Sequence, residues 1–235
     1  GGGEGDTTEV VGISQGRWGH TTTLLEDGSM LVVGGQKSLS GKLDTAEIFN
    51  PGTESWSSAG IMAEKRGAGH TATRLEDGRV LVIGDSDEAL AELYDPSTGE
   101  WSSAGVMVEA RNWASATLLE DGRVLVVGGL DATKAGVEEL DTAEIYDPSI
   151  GEWSPTGSME NLNSRHRAVL MEDGKVLVVG QLLAELYDPS TGTWSSAGKP
   201  VRERSAGITA TVLKDGNILV TGGEFQRGGW TGVVS

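Results

Sequence analysis

The three histidines of the chain, His20, His70 and His166, each stand seven residues before an Asp-Gly pair. Cationic and aromatic side chains crowd the same stretches: Arg17 and Trp18, Lys65 and Arg66, Arg111 and Trp113, Arg165 and Arg167, and Arg204. Guanidinium groups grip carboxylates and phosphates, and exposed indole faces suit sugar rings and cations. A ring of such groups would take an anionic or sugar-like ligand. The same residues have a second use. Glu47, Glu92, Glu144 and Glu185 recur at one fixed place in the phrase Ala-Glu, and a buried arginine needs such a partner. An imidazole at a fixed place can likewise serve by hydrogen-bonding backbone. The glutamates offer a third chemistry, since carboxylate pairs perform general acid–base hydrolysis or elimination. One glutamate per unit at one position points to architecture instead. A three-histidine metal centre needs ligands about 2.0–2.1 Å from one ion. Histidines on three separate units lie too far apart for that, so no metal site is expected.

Those residues are positioned by a repeat. EDGRVLVVGG at 120–129 recurs as EDGSMLVVGG at 26–35, EDGRVLVIGD at 76–85, EDGKVLVVGQ at 172–181 and KDGNILVTGG at 214–223. DTAEIYDPSIGEW at 141–153 recurs at 44–56, 90–101 and 183–194. The Asp-Gly pairs begin at Asp27, Asp77, Asp121, Asp173 and Asp215, at steps of 50, 44, 52 and 42 residues. Paired glycines and a later Trp at such a period mark propeller blades. Asp121-Gly122 supplies the positive φ of a tight hairpin. Val124–Val127 is a continuous apolar run, as in a strand covered on both faces. Ala143–Tyr146 reads as a third strand, and Trp153 opens a fourth. Such a unit cannot bury its faces alone, so the units must stack. Residues 87–93 and 106–110 look helical in isolation, but the repeat register overrides both.

Composition narrows the function. The chain has 235 residues, 36 of them Gly and none Cys, so disulfides, thiolate metal sites and cysteine nucleophiles are excluded. A formal charge of −17 disfavours nucleic acid and anionic membrane. Many of the acids fall in hairpin tips and Asp-Pro-Ser turns, which reads as a solvated rim rather than a cation site. No apolar run reaches the roughly 18–20 residues of a membrane span, and no signal peptide is visible. The opening GGGEGD, residues 1–6, reads as a flexible leader.

The chain resembles the kelch-repeat β-propellers. The resemblance rests on Gly34-Gly35, Gly128-Gly129 and Gly222-Gly223, on Tyr94, Tyr146 and Tyr187, and on Trp56, Trp101, Trp153 and Trp194. Its spelling is similar to the bacterial kelch subgroup, which is related to the propeller of galactose oxidase. It covers roughly residues 17–223. Two glycine pairs are broken, by Asp85 and Gln181, and the last unit lacks its second half. The expected fold is all-β: a five-bladed propeller of four-stranded antiparallel blades near 17–60, 61–105, 106–157, 158–198 and 199–235. The last blade would take residues 230–235 as its third strand. A strand at 7–13 would supply its fourth and close the ring, giving one domain over 7–235. The alternative is a fragment of a six- or seven-bladed ring.

The loop between the second and third strands varies in length from unit to unit. In a propeller it opens on the same face as the loop leading into the first strand, and variable loops on a rigid scaffold carry binding. The candidate ligand-binding residues are therefore Arg17, Trp18, His20, Arg66, His70, Arg111, Trp113, Arg165, His166, Arg167 and Arg204. Trp18 and Trp113 stand out because they do not sit at the blade-core Trp position.

Enzyme signatures are weak. Gly12–Gly16 spells G-x-S-x-G, but a strand follows where that motif needs a helix. The tyrosine–cysteine copper chemistry of galactose oxidase requires a cysteine. The iron motif of the nitrile specifier kelch proteins is absent, since Gly16, Arg66 and Leu162 stand four residues before the histidines. The expectation is a monomeric, non-catalytic module without cofactor that binds a protein or a carbohydrate. A glycoside hydrolase or lyase using the repeated glutamates is the alternative. The resemblance implies a secreted or cell-surface place.

Overall fold

The computed structural model describes residues 12–38, 41–86, 88–131, 133, 137–161, 166–180, 183–198, 208–213, 218–222, 224–227 and 230–233, the last two segments by backbone alone. All regular structure among them is β. The first sheet contains β1 (Thr21–Leu24), β2 (Met30–Val33), β3 (Leu43–Asn50) and β4 (Ser55–Arg66) in that order. The second contains β5 (Thr71–Arg74), β6 (Val80–Ile83), β7 (Leu90–Asp95) and β8 (Glu100–Val106). The third begins with β9 (Ser115–Leu118) and β10 (Val124–Val127). It is interrupted by a small hairpin of β11 (Leu130–Asp131) and β12 (Glu138–Glu139), and finishes with β13 (Ala143–Asp147) and β14 (Glu152–Pro155). The fourth is β15 (Arg167–Leu170), β16 (Val176–Val179), β17 (Ala184–Asp188) and β18 (Thr193–Gly198). Four antiparallel four-stranded sheets of one plan are consistent with a β-propeller.

Beyond them, β19 (Ile208–Val212) pairs with β20 (Ile218–Gly222), and β21 (Glu224–Arg227) pairs with β22 (Trp230–Val233). The strand expected at 230–235 thus exists, but its partner is β21 and not β20. The expected closing strand at 7–13 and the leader fall outside the described residues up to position 11, and Gly12 and Ile13 belong to no strand.

The sheets stack through their middle strands. Innermost strands touch in succession, β1 to β5 to β9 to β15 to β19. Each buried cluster draws on two sheets. Leu31, Val33, Ala46 and Met62 of the first pack on Val80, Val82 and Tyr94 of the second, and the pattern repeats at the next two junctions. This is why the second strands are apolar at every position: alternate residues face opposite neighbours. Burying one such side chain contributes roughly 1.5–3 kcal/mol. The junctions are also tied by polar bonds. Trp101, Trp153 and Trp194 donate their indole N–H to the backbone oxygens of Ala59, Ala104 and Gly157 in the preceding sheet, at 2.7, 2.8 and 2.6 Å. Gly84 lies where a Cβ would come within 2.5 Å of the Arg111 oxygen in the next sheet, so only Gly permits that approach.

Candidate functional site

The loops that lead into each first strand meet the loops that follow each second strand at one end of the sheets. Trp18 forms a backbone bridge with Gln36, and Asn112 with Leu130. In the first three units an arginine ahead of the first strand points inward. Arg17 Nη2 lies 2.7 Å from Glu47, Arg66 Nη2 lies 2.8 Å from Glu92, and Arg111 Nε lies 3.0 Å from Glu144. All three guanidinium side chains are 0% exposed. Each also donates to the oxygen of the glycine that ends its second strand, Gly34, Gly84 or Gly128, at 2.9–3.1 Å. A further bond goes to the oxygen of Thr45, Leu90 or Thr142.

The carboxylates are equally occupied. Glu47 accepts from Ser14 N–H, Glu92 from Ala63 N–H, Glu144 from Val108 N–H and Glu185 from Glu160 N–H. Burial pushes the Glu47 carboxyl up, but the Ser14 bonds and the Arg17 charge outweigh it and leave the group below its ordinary range. The long β4 explains how one arginine arrives. It runs past its bulges until Leu43 pairs with Arg66, which carries the guanidinium back to the mouth.

The histidines divide. His70 is buried between the first two sheets, its Nε2 3.0 Å from Thr21 Oγ1 and 3.1 Å from the Val33 oxygen, its Nδ1 against the Gly67 oxygen. His166 is buried with Nε2 2.8 Å from Ser115 Oγ, the matching contact at the junction of the third and fourth sheets. Burial, then the charge of Arg66, lowers the His70 pKa below its ordinary value. His20 is exposed. Arg167 is exposed on β15 and donates to the His166 oxygen. Arg165 and Arg204 lie outside the described residues.

Trp18 and Trp113 carry the open surface of the mouth, at 49% and 38% exposure. Beside them stand residues that the sequence reading did not select. Lys42 Nζ is 3.2 Å from Asp85 Oδ1, across the junction of the first two sheets. Asp85 Oδ2 accepts from Gly69 N–H at 2.7 Å, and Asp85 N–H donates to Asn112 Oδ1 at 2.9 Å. Trp113 N–H donates to the Gly69 oxygen at 2.8 Å. A repeat-register comparison carries the signal that would have found Asp85, since it takes the place of a glycine.

Three grooves open at the other end, between hairpin tips and Asp-Pro-Ser turns of adjacent sheets, with volumes of about 460, 330 and 470 Å³. Their lining is acidic, and Arg79 and Arg123 are held by Asp77 and Asp121 of their own turns at 2.7 and 2.6 Å. No group of His, Asp and Glu suited to a metal ion occurs among the described residues.

The Kelch motif matches residues 27–63 and 121–160. No curated protein matches the chain. The two matched stretches run through the first and third sheets, which the second and fourth copy strand for strand, and together they support a kelch-repeat family for this chain.

Proposed function

We propose that the chain is a non-catalytic binding propeller that engages a protein or a carbohydrate through the mouth formed by the lead-in loops and the loops after the second strands. Kelch repeats generally mediate protein interactions. The observation that carries the reading is the division of labour at this mouth. Arg17, Arg66, Arg111 and the repeated glutamates are consumed by internal bonds, whereas Trp18 and Trp113 keep 49% and 38% of their surface in solvent. Large exposed aromatics on a rigid rim are the usual anchors of recognition.

The reading takes residues 7–235 as one ring of five blades, spelled like the bacterial kelch proteins and placed outside the cytoplasm. Its support lies in the first sheet. Val82, Val126 and Val178 pack against the sheet before them, and Val32, at the same register, is 3% exposed although no described sheet precedes it. A thermal-shift screen with neutral and acidic glycans and with a peptide library tests the function, because a ligand of the folded state raises the melting point with concentration. Trp18→Ala together with Trp113→Ala should abolish any response with the fold intact. A response that survives both changes places the site elsewhere.

A further inference from the structure

Two residues at the mouth hold backbone conformations that side chains avoid, and both bond to Gly69. Trp113 has φ +60°. Counted back from the Asp-Gly pair it takes the place of Gly19, whose φ is +65°. A bulky residue in the left-handed region is a true outlier and is retained only where something else selects it. Asp85 has φ +45° and takes the place of Gly35 and Gly129, at +88° and +98°. In the first and third sheets that second glycine lets the lead-in loop lie tight, since a Cβ there would come within 2.8 Å of a backbone oxygen. In the second sheet the Asp85 carboxylate stands in the gap, bonded to Gly69 N–H, and Trp113 lies against the same Gly69.

Trp113 nevertheless leaves 38% of its surface in water, so part of its ring stays available at the mouth. We propose that Trp113, Asp85, Lys42 and Asn112 form a subsite for a neutral sugar ring; the proposal rests on the binding reading above and names its ligand. The indole supplies a flat apolar face for the ring's C–H groups. Asp85 accepts from hydroxyls and Lys42 donates to them. The Asn112 Oδ1 is taken by Asp85 N–H, which leaves its NH₂ to donate. The carboxylate and ammonium lie 3.2 Å apart and balance each other, both partly exposed. A charged ligand gains no net attraction there, and a polyhydroxylated neutral one meets both donors and acceptors.

The test is binding of neutral hexose oligosaccharides (β-glucan, α-mannan and β-galactan series) to the full chain, followed by calorimetry and by the indole N–H resonances. Trp113→Gly and Asp85→Gly restore the glycine that the first repeat carries at each position, Gly19 and Gly35. Each should leave the melting temperature unchanged or raised, while weakening oligosaccharide binding by at least about tenfold. A melting temperature that falls in both variants makes the two residues structural and overturns the subsite. Binding lost in Trp18→Ala but kept in both glycine variants also overturns it and leaves the mouth intact. A response to peptides alone overturns the sugar assignment but not the mouth. Sugar binding indifferent to Trp18 and Trp113 overturns both readings.

Discussion

At the scale of single residues, the arginine–glutamate pairs are a framework. Each guanidinium ties the start of a blade to the end of its second strand and to its third strand, so one side chain sets three backbone segments. Removing one partner strands a buried charge. Arg111→Met should destabilise the fold by about 3–5 kcal/mol, read from urea unfolding, and Glu144→Gln added to it should restore part of the loss. Equal stability in the single variant would show that Arg111 is not the tie described. His70 makes the matching tie between sheets, and it carries a pH signature. Burial and the Arg66 charge hold its pKa down. The unfolded chain, with an imidazole near about 6.5, therefore takes up its proton first as the pH falls. The contribution of His70 is complete above about pH 6.5 and is lost as the pH drops towards the lower folded value. Urea midpoints across this range should fall less steeply for His70→Gln than for the parent protein. Parallel slopes would remove His70 from the acid response.

At the scale of elements, the repeat made most strands legible. Asp-Gly turns, apolar second strands and Asp-Pro-Ser-type turns act within a few residues, and local chemistry fixes them. The helix-like stretches at 87–93 and 106–110 contain no helix among the described residues, because Leu90–Asp95 and Glu100–Val106 are strands in register with their copies. The continuation of β4 to Arg66 was not legible, since its bulges depend on pairing with β3. The tryptophans that mark the family were legible as a pattern, but their bond to the preceding sheet was not. Trp153→Phe keeps an aromatic ring beside Tyr146, whose centroid lies 4.9 Å from that of Trp153, and removes the N–H donated to Ala104 together with the small pyrrole part of the indole. It should cost about 1 kcal/mol in chemical denaturation. A larger loss would mean that ring packing, not the hydrogen bond, joins the blades.

At the scale of the molecule, closure decides whether the mouth is a ring. Deleting residues 1–13 should lower the melting temperature and promote association if the N-terminal strand completes the last blade, because an unpaired sheet edge is left. An unchanged melting curve would assign that edge to another segment. The net charge of −17 acts at this scale as well. Many of the acids lie in the hairpin tips and Asp-Pro-Ser turns that line the three grooves away from the indoles, and a field of that sign repels anions.

Repeat, turn and apolar alternation determined the all-β class, the four-stranded unit and the stretch in which cationic and aromatic residues gather, because those signals are local and were written several times over. Which residues in that stretch face inward was decided only by the packed sheets. A guanidinium and an indole one position apart, Arg17 and Trp18, go to a buried carboxylate and to open water, and nothing in their spacing distinguishes them. The second and third strands of the same sheet do, by bringing the Gly34 oxygen and the Glu47 carboxylate to Arg17 while Trp18 stays half-exposed. The gathering of Asp85 and Trp113 on Gly69 is of the same kind: two departures from glycine, 28 residues apart in the chain, share one neighbour only when the second and third sheets are stacked.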